Sequence, residues 1–278
     1  MRPTATDVHW LGRAGVISAW RLGATLIDPG PTSTLDAVLD ALDGEEPRRV
    51  LLTHIHLDHA GSTGSLVRRF PGLEVWVHER GARHLVDPAR LLASARRLWG
   101  DDMHRLWGEI LPVPQGNLRV LYGSELRDGF RVAATPGHAS HHVAYLHEDS
   151  GYAFVGDVAG VRVSAGGMIL PPTPPPDVDL DAWRASLAVV GGWSPTALAI
   201  AHFGEHRDHE AHLDRLREGL ERWGELARRT DAEAYAAALR AAIAAGADAR
   251  DGGAIVQAMP PEQQWGGLDR WWLRSPGA

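Results

Sequence analysis

The chain has 278 residues, 44% of them hydrophobic, and a formal net charge of −7 at pH 7. Cysteine is absent and all 28 basic residues are arginine, which excludes disulfides, thiolate ligands and nucleophiles, lysine Schiff bases and lysine-bearing phosphate loops. The acidic balance, with arginine pairs scattered rather than striped, argues against a nucleic-acid partner, and no run of about 18 apolar residues exists to span a membrane.

Residues 1–7 are polar and lead into no secretory apolar core, so the cytoplasm is the expected compartment. Segments 8–12, 16–21 and 24–27 read as short strands joined by glycine turns. Leu35, Val38, Leu39 and Leu42 recur at helical spacing behind Ser33 or Thr34 as a cap. Segment 50–52 reads as a short buried strand, followed by a helix over 62–70 and a strand over 74–77. From 79 to 114 the pattern is wholly helical: Leu91, Ala95, Leu98, Trp99, Met103, Leu106 and Ile110 fall at three- and four-residue steps. That stretch predicts a helix pair on the core, a cap over a site, or both. Strands are predicted at 118–122, 130–135, 142–147 and 152–156, the last two joined by an Asp149-Ser150-Gly151 turn. Five prolines within 171–176 dictate an extended loop. A helix over 180–190, a strand over 197–201 and an amphipathic helix carrying Leu213, Leu216, Leu220, Trp223 and Ala227 follow, with His206, His209 and His212 expected on a solvent-exposed helix face. An alanine-rich helix begins near 231 and ends in a glycine- and tryptophan-rich tail. Trp271 and Trp272 there would suit either covering a cleft or a homodimer contact.

Directly after the apolar Val50-Leu51-Leu52 comes Thr53-His54-Ile55-His56-Leu57-Asp58-His59. Imidazole and carboxylate are ligands of zinc and similar divalent ions at neutral pH, and packing three histidines and an aspartate at a strand end has no evident folding benefit. Asp58 would also suit an N-cap. Ligands held on rigid elements should sit at the ends of buried strands. That rule selects His138 after the strand ending near Ala134, Asp157 after Tyr152–Val155, His202 after Ala197–Ala201, and Asp28 after Ala24–Ile27.

The order of these residues resembles the metallo-β-lactamase-fold hydrolases over roughly residues 8–205. The family's His-x-His-x-Asp-His motif matches His54, His56, Asp58 and His59 in full, and its later motifs match His138, Asp157 and His202; its early aspartate matches Asp28. The resemblance implies an α/β (α+β) four-layer αββα sandwich; together with the helical patterns above, the chain is expected to divide into a catalytic domain over 1–230, with a helical cap insertion at 79–114, and a helical C-terminal extension over 231–278. It implies two divalent metal ions, one on His54, His56 and His138, the other on Asp58, His59 and His202, bridged by Asp157. Zinc is the default, with iron, manganese or cobalt also compatible with such ligands. Asp28 and His142 match residues that support the metal loop. Lacking both cysteine and lysine, the chain is more similar to the glyoxalase II-like and lactonase-like branch than to true β-lactamases, although its alanine-rich tail does not resemble the basic C-terminal domain of glutathione thioesterases.

Two metals imply hydrolysis of a small-molecule thioester, ester or lactone by a metal-bound hydroxide that Asp58 and Asp157 position. The insertion and the proline loop would shape an apolar cleft, and Arg162 is the sequence's candidate for a substrate anion. Cleavage of a small nucleotide or other phosphoester uses the same chemistry. A mononuclear-iron persulfide dioxygenase and a non-catalytic metal-binding scaffold stand against the full seven-ligand set.

Overall fold

Along most strands side chains alternate between two apolar environments, and that alternation builds the molecule. In the computed structural model, which describes residues 1–275, the strands form two six-stranded sheets. The first contains β1 (Thr4–Asp7), β2 (Ser18–Leu22), β3 (Thr25–Ile27), β4 (Arg49–Leu51), β5 (Glu74–His78) and β6 (Leu118–Leu121) in that spatial order, antiparallel through β3 and parallel from β3 to β6. The second contains β7 (Leu126–Arg127), β8 (Phe130–Ala134), β9 (Val143–His147), β10 (Tyr152–Phe154), β11 (Ala197–Ile200) and β12 (Gly204–His206), antiparallel except for the β10–β11 pair.

Trp20, Ile27, Leu51, Trp76, Phe130, Tyr145 and Phe154 meet in one core between the sheets. Their neighbours Leu26, Val50, Val75 and Val77 face the opposite way, into a second core; Ala144, Ala153, Leu198 and Ile200 face into a third. Sheets with both faces buried require this doubly apolar pattern. Helices cover the outer faces. On the first sheet lie α1 (Leu35–Ala41), α2 (Leu57–Ala60), α3 (Thr63–Arg69), α4 (Glu79–Val86), α5 (Ala89–Trp99) and α6 (Met103–Trp107). On the second lie α7 (Leu180–Gly192), α8 (His209–Arg229), α9 (Ala232–Gly246), α10 (Ala249–Ala258) and α11 (Trp265–Arg274). The result is the four-layer αββα sandwich.

Several local expectations are corrected. The first strand is residues 4–7, whereas Trp10–Gly12 is a 3-10 turn whose Trp10 indole donates to the Leu106 carbonyl at 2.8 Å and stacks on Trp107. Tertiary contacts, not strand pairing, bury Val8 and Trp10. His206 lies on β12 and His212 is wholly buried, so neither forms a solvent-exposed face. Trp271 is buried and the Trp272 indole donates to the Gly224 carbonyl, so both pack inward on α8. Residues 276–278 of the tail fall outside the described residues. No described helix is long and apolar enough to cross a membrane.

Candidate metal centre

The C-terminal ends of β3, β4, β8, β10 and β11 gather at one edge of the sandwich, because β8, β10 and β11 run the same way in their sheet. Backbone hydrogen bonds tie the two sheets there: Val143 donates to Thr53, and Ser18 donates to Ala201, each at 2.8 Å. The loops leaving these strands carry Asp28, the His54–His59 motif, His138, Asp157 and His202. His142 reaches the same edge from the opposite direction, since it precedes β9.

Glycines let the loops turn tightly enough. Gly156 holds φ +43°, and a Cβ there would sit 2.3 Å from Thr53 Oγ1. Gly137 holds φ +143° against the Trp183 backbone, where a Cβ would lie 2.4 Å from Cα. Only glycine meets both demands.

The seven expected ligand residues all converge. Ligand-type atoms of His54, His56 and His138 lie within 4.8 Å of one another, as do those of Asp58, His59 and His202; a third grouping, His54, His59 and Asp157, joins the two. His56 Nδ1 is 3.0 Å from His54 Nε2 and 2.9 Å from His138 Nε2. Asp157 reaches both clusters, with Oδ2 3.3 Å from His138 Nε2 and Oδ1 3.2 and 3.5 Å from the Nε2 atoms of His59 and His202. Asp58 Oδ2 lies 3.4 Å from His202 Nε2 and 3.8 Å from His59 Nε2.

The outer nitrogens are engaged elsewhere. His138 Nδ1 donates to the Pro172 carbonyl at 2.8 Å and His202 Nδ1 to the Val16 carbonyl at 2.6 Å. His59 Nδ1 lies 3.0 Å from Asp28 Oδ2, and Asp28 also accepts from the Thr53 amide and hydroxyl. A neutral ring that donates from Nδ1 presents a bare lone pair at Nε2. Several lone pairs therefore converge with two carboxylates in a buried space: His59 Nε2 and Asp157 Oδ1 face each other at 3.2 Å without good hydrogen-bond geometry, and neither has a better partner among the described residues. Buried polar atoms left so are costly, and this donor set fits divalent cations.

The electrostatics agree. Burial alone lowers His59, yet Asp157, Asp58 and Asp28 together raise it well above the usual histidine value, and His202 is likewise raised against its burial by Asp157 and Asp58. Burial would raise Asp58, but His59 and His202 hold it at about 2, and Asp157 is held well below the ordinary carboxylate range. The side of the centre holding Asp58, His59 and His202 thus favours positive charge. On the other side, burial and neighbouring imidazoles push His54 well down and His56 to about 4, so those rings stay neutral.

His142 Nδ1 bonds Thr135 Oγ1 at 2.8 Å, and its ring stacks 5.1 Å from that of His54, behind the cluster. Arg162 corrects the expectation of a substrate contact. It is buried, its guanidinium forms a two-pronged pair with Asp208 at 2.7 and 2.9 Å, and its amide donates to the His202 carbonyl. It braces the His202 loop from behind and does not line the cleft.

That cleft, about 580 Å³, opens directly above the clusters, with His56, Asp58, His138, Asp157 and His202 on its floor. The insertion supplies one wall through Leu91, Leu98, Trp99 and Trp107, and the proline loop supplies another. A third wall, Gln257–Gln264, comes from the C-terminal helices. Sequence reasoning left that segment's role open, because nothing local marks residues 55 or more positions beyond His202 as neighbours of a site. It also missed Thr53, whose hydroxyl on the strand-end motif was the available signal, and the cleft-lining His141.

A model of the metallo-beta-lactamase superfamily matches residues 14–218. Over 188 residues the chain is 30% identical to the metallo-beta-lactamase fold-containing protein ST1585 of Sulfurisphaera tokodaii, covering 64% of this chain and 68% of that one. The ST1585 structure matches with a TM-score of 0.66 over 80% of this chain and 85% of that chain, at 24% identity. Hydroxyacylglutathione hydrolase of Xanthomonas campestris pv. campestris is 31% identical over 191 residues, covering 66% of this chain; the match spans only 61% of that enzyme's length. The structure of TTHA1623 in a di-iron-bound form is 30% identical, with a TM-score of 0.53 over 69% of this chain and 89% of that one. Taken with the strand-end ligand set and the paired sheets, the family match over most of its length establishes that the chain belongs to the metallo-beta-lactamase superfamily.

Proposed function

We infer that this protein is a dinuclear metal-dependent hydrolase of a small thioester, ester or lactone. The observation that carries the reading is Asp157, one buried carboxylate spanning two clusters of ligand atoms on the floor of a largely apolar cleft. His54, His56 and His138 would hold one cation and Asp58, His59 and His202 the other. Two such cations, zinc or else iron, manganese or cobalt, would polarise a carbonyl and lower the pKa of water toward neutrality. Asp28 and the Pro172 and Val16 carbonyls fix the tautomers and aim of three imidazoles, so little reorganisation accompanies loading. Asp58 and Asp157 accept hydrogen bonds from the attacking water and orient it toward the carbonyl carbon. The acyl–oxygen or acyl–sulfur bond is replaced by an acyl–hydroxyl bond, and the proton leaves with the alcohol or thiol. The apolar walls exclude bulk water and hold the acyl group. A relative named for an acylglutathione substrate supports the acyl class.

The test is a panel of p-nitrophenyl esters, thioesters, lactones and bis-p-nitrophenyl phosphate under matched metal loading, with elemental analysis of the same samples. Turnover concentrated in the acyl substrates is expected. Cleavage of the phosphodiester alone would remove the reading, as would one equivalent of iron with oxygen uptake on a persulfide.

A further inference from the structure

The wall of the cleft contributed by α4 and α5 carries two chemistries side by side. Arg80 and Arg83 lie at i, i+3 on α4, and Arg90 opens α5; all three line the cleft. Above the floor, the only carboxylate lining the cleft is Asp177, whose Oδ2 is taken by the Ser140 hydroxyl at 2.6 Å. None of the three arginines makes an ion pair among the described residues. Arg80 donates one bond to the Ser140 carbonyl at 3.3 Å, and Arg83 one to His84. In a chain of net charge −7 this is a local concentration of free guanidinium donors beside a catalytic floor. Guanidinium forks match carboxylate and phosphate oxygens.

The same wall is apolar further along. No residue of α5 is fully buried although its apolar stripe is regular. Leu91, Ala95, Leu98 and Trp99 instead line the cleft, and Trp107 lines it beside them. A helix whose apolar stripe faces a cleft suits a partly apolar ligand.

We propose that the substrate is an amphipathic acyl thioester or ester whose leaving group bears a carboxylate or phosphate, held by Arg80, Arg83 and Arg90, while its acyl chain lies against Leu98, Trp99 and Trp107. This rests on the carbonyl-hydrolysis reading and assigns the substrate class for it. Water replaces the thiol or alcohol on the acyl carbon, and the anionic leaving group departs with the proton along the arginine wall.

The test compares thioesters of one medium-chain acid with three thiols: neutral N-acetylcysteamine, the carboxylate 3-mercaptopropionate and the phosphate-bearing phosphopantetheine. The metal-loaded protein should show kcat/KM about tenfold or more higher for one or both anionic thioesters at low salt, and the preference should shrink as salt rises. In R80Q/R83Q/R90Q the ratio of anionic to neutral kcat/KM should fall toward one, through KM rather than kcat. Which anionic thioester gains more distinguishes the two sources of negative charge. A binding arm independent of turnover follows the cleft tryptophans by fluorescence during titration with octane-1-sulfonate or 1-octanol. The wild type should bind the sulfonate about tenfold more tightly, and the triple variant should not. Equal sulfonate affinity in wild type and a folded triple variant would overturn the proposal while leaving hydrolysis intact. Arginine-dependent sulfonate binding with no thioester cleavage would instead sink the hydrolytic reading and keep the anion site.

Discussion

Asp157 lies within 3.5 Å of nitrogens from His59, His138 and His202, so its removal should act on both ligand clusters at once. Asp157→Ala is expected to lower bound metal toward zero, whereas His56→Ala should remove one equivalent; elemental analysis separates these, and full metal content in either variant would contradict the assignment. Asp28 is not among the expected ligands but bonds His59 Nδ1 at 3.0 Å and sets its tautomer, so Asp28→Asn should weaken metal binding by about 10–100-fold, read by competition with a chelator. At Gly156 an alanine would meet Thr53 Oγ1 at 2.3 Å in a left-handed backbone, so Gly156→Ala should cost about 1–3 kcal/mol and disturb metal uptake together with stability. At this scale the converging cluster was legible because imidazole and carboxylate at strand ends are chemically conspicuous. Arg162 was misjudged because a charged residue near a site suggests a substrate, while its partner Asp208 lies 46 positions away. The carbonyls of Val16 and Pro172 could not be read at all, since every residue has one.

Element by element, the strands that alternate between two cores were readable, because β-branched and aromatic runs bounded by glycine and aspartate leave few alternatives. Short edge strands β7 and β12 were not, having two and three residues and no alternation to display. Helix α8 was recognisable by its apolar stripe, but its buried histidine was not. His212 donates from Nε2 to the Ala159 carbonyl at 2.7 Å and accepts at Nδ1 from Arg162 at 3.1 Å. Burial, with Arg162 adding to it, lowers its pKa from 6.5 to about 4. Between those values the unfolded chain binds more protons than the folded one, so stability rises with pH and is lost as pH falls through the window. The loss approaches ~3 kcal/mol by pH 4. Thermal melts of chelated protein from pH 7 to pH 4 should therefore fall more steeply for wild type than for His212→Gln; parallel slopes would exclude the buried neutral imidazole. Asp231 caps α9 by accepting from the Ala234 amide at 2.9 Å, and Asp231→Ala should cost about 1 kcal/mol in denaturant unfolding.

Across the whole molecule, runs such as Val50-Leu51-Leu52 showed that the strands are buried on both faces, but a single helix-covered sheet gives the same pattern, so the pairing of two sheets was legible only through the resemblance carried by the ordered histidine and aspartate motifs. How the cleft closes was less accessible. Its walls come from α4–α6, the proline loop and residues 257–264, and their meeting depends on the fold of everything between. Cations bound at the seam would tie loops from both sheets together, so metal binding should stabilise the folded state by mass action. The most direct measurement is anomalous X-ray scattering from crystals grown with excess zinc. The account predicts two peaks, one among His54, His56 and His138, the other among Asp58, His59 and His202, with Asp157 contacting both. A single peak away from Asp157, or no peak on the cleft floor, would contradict it.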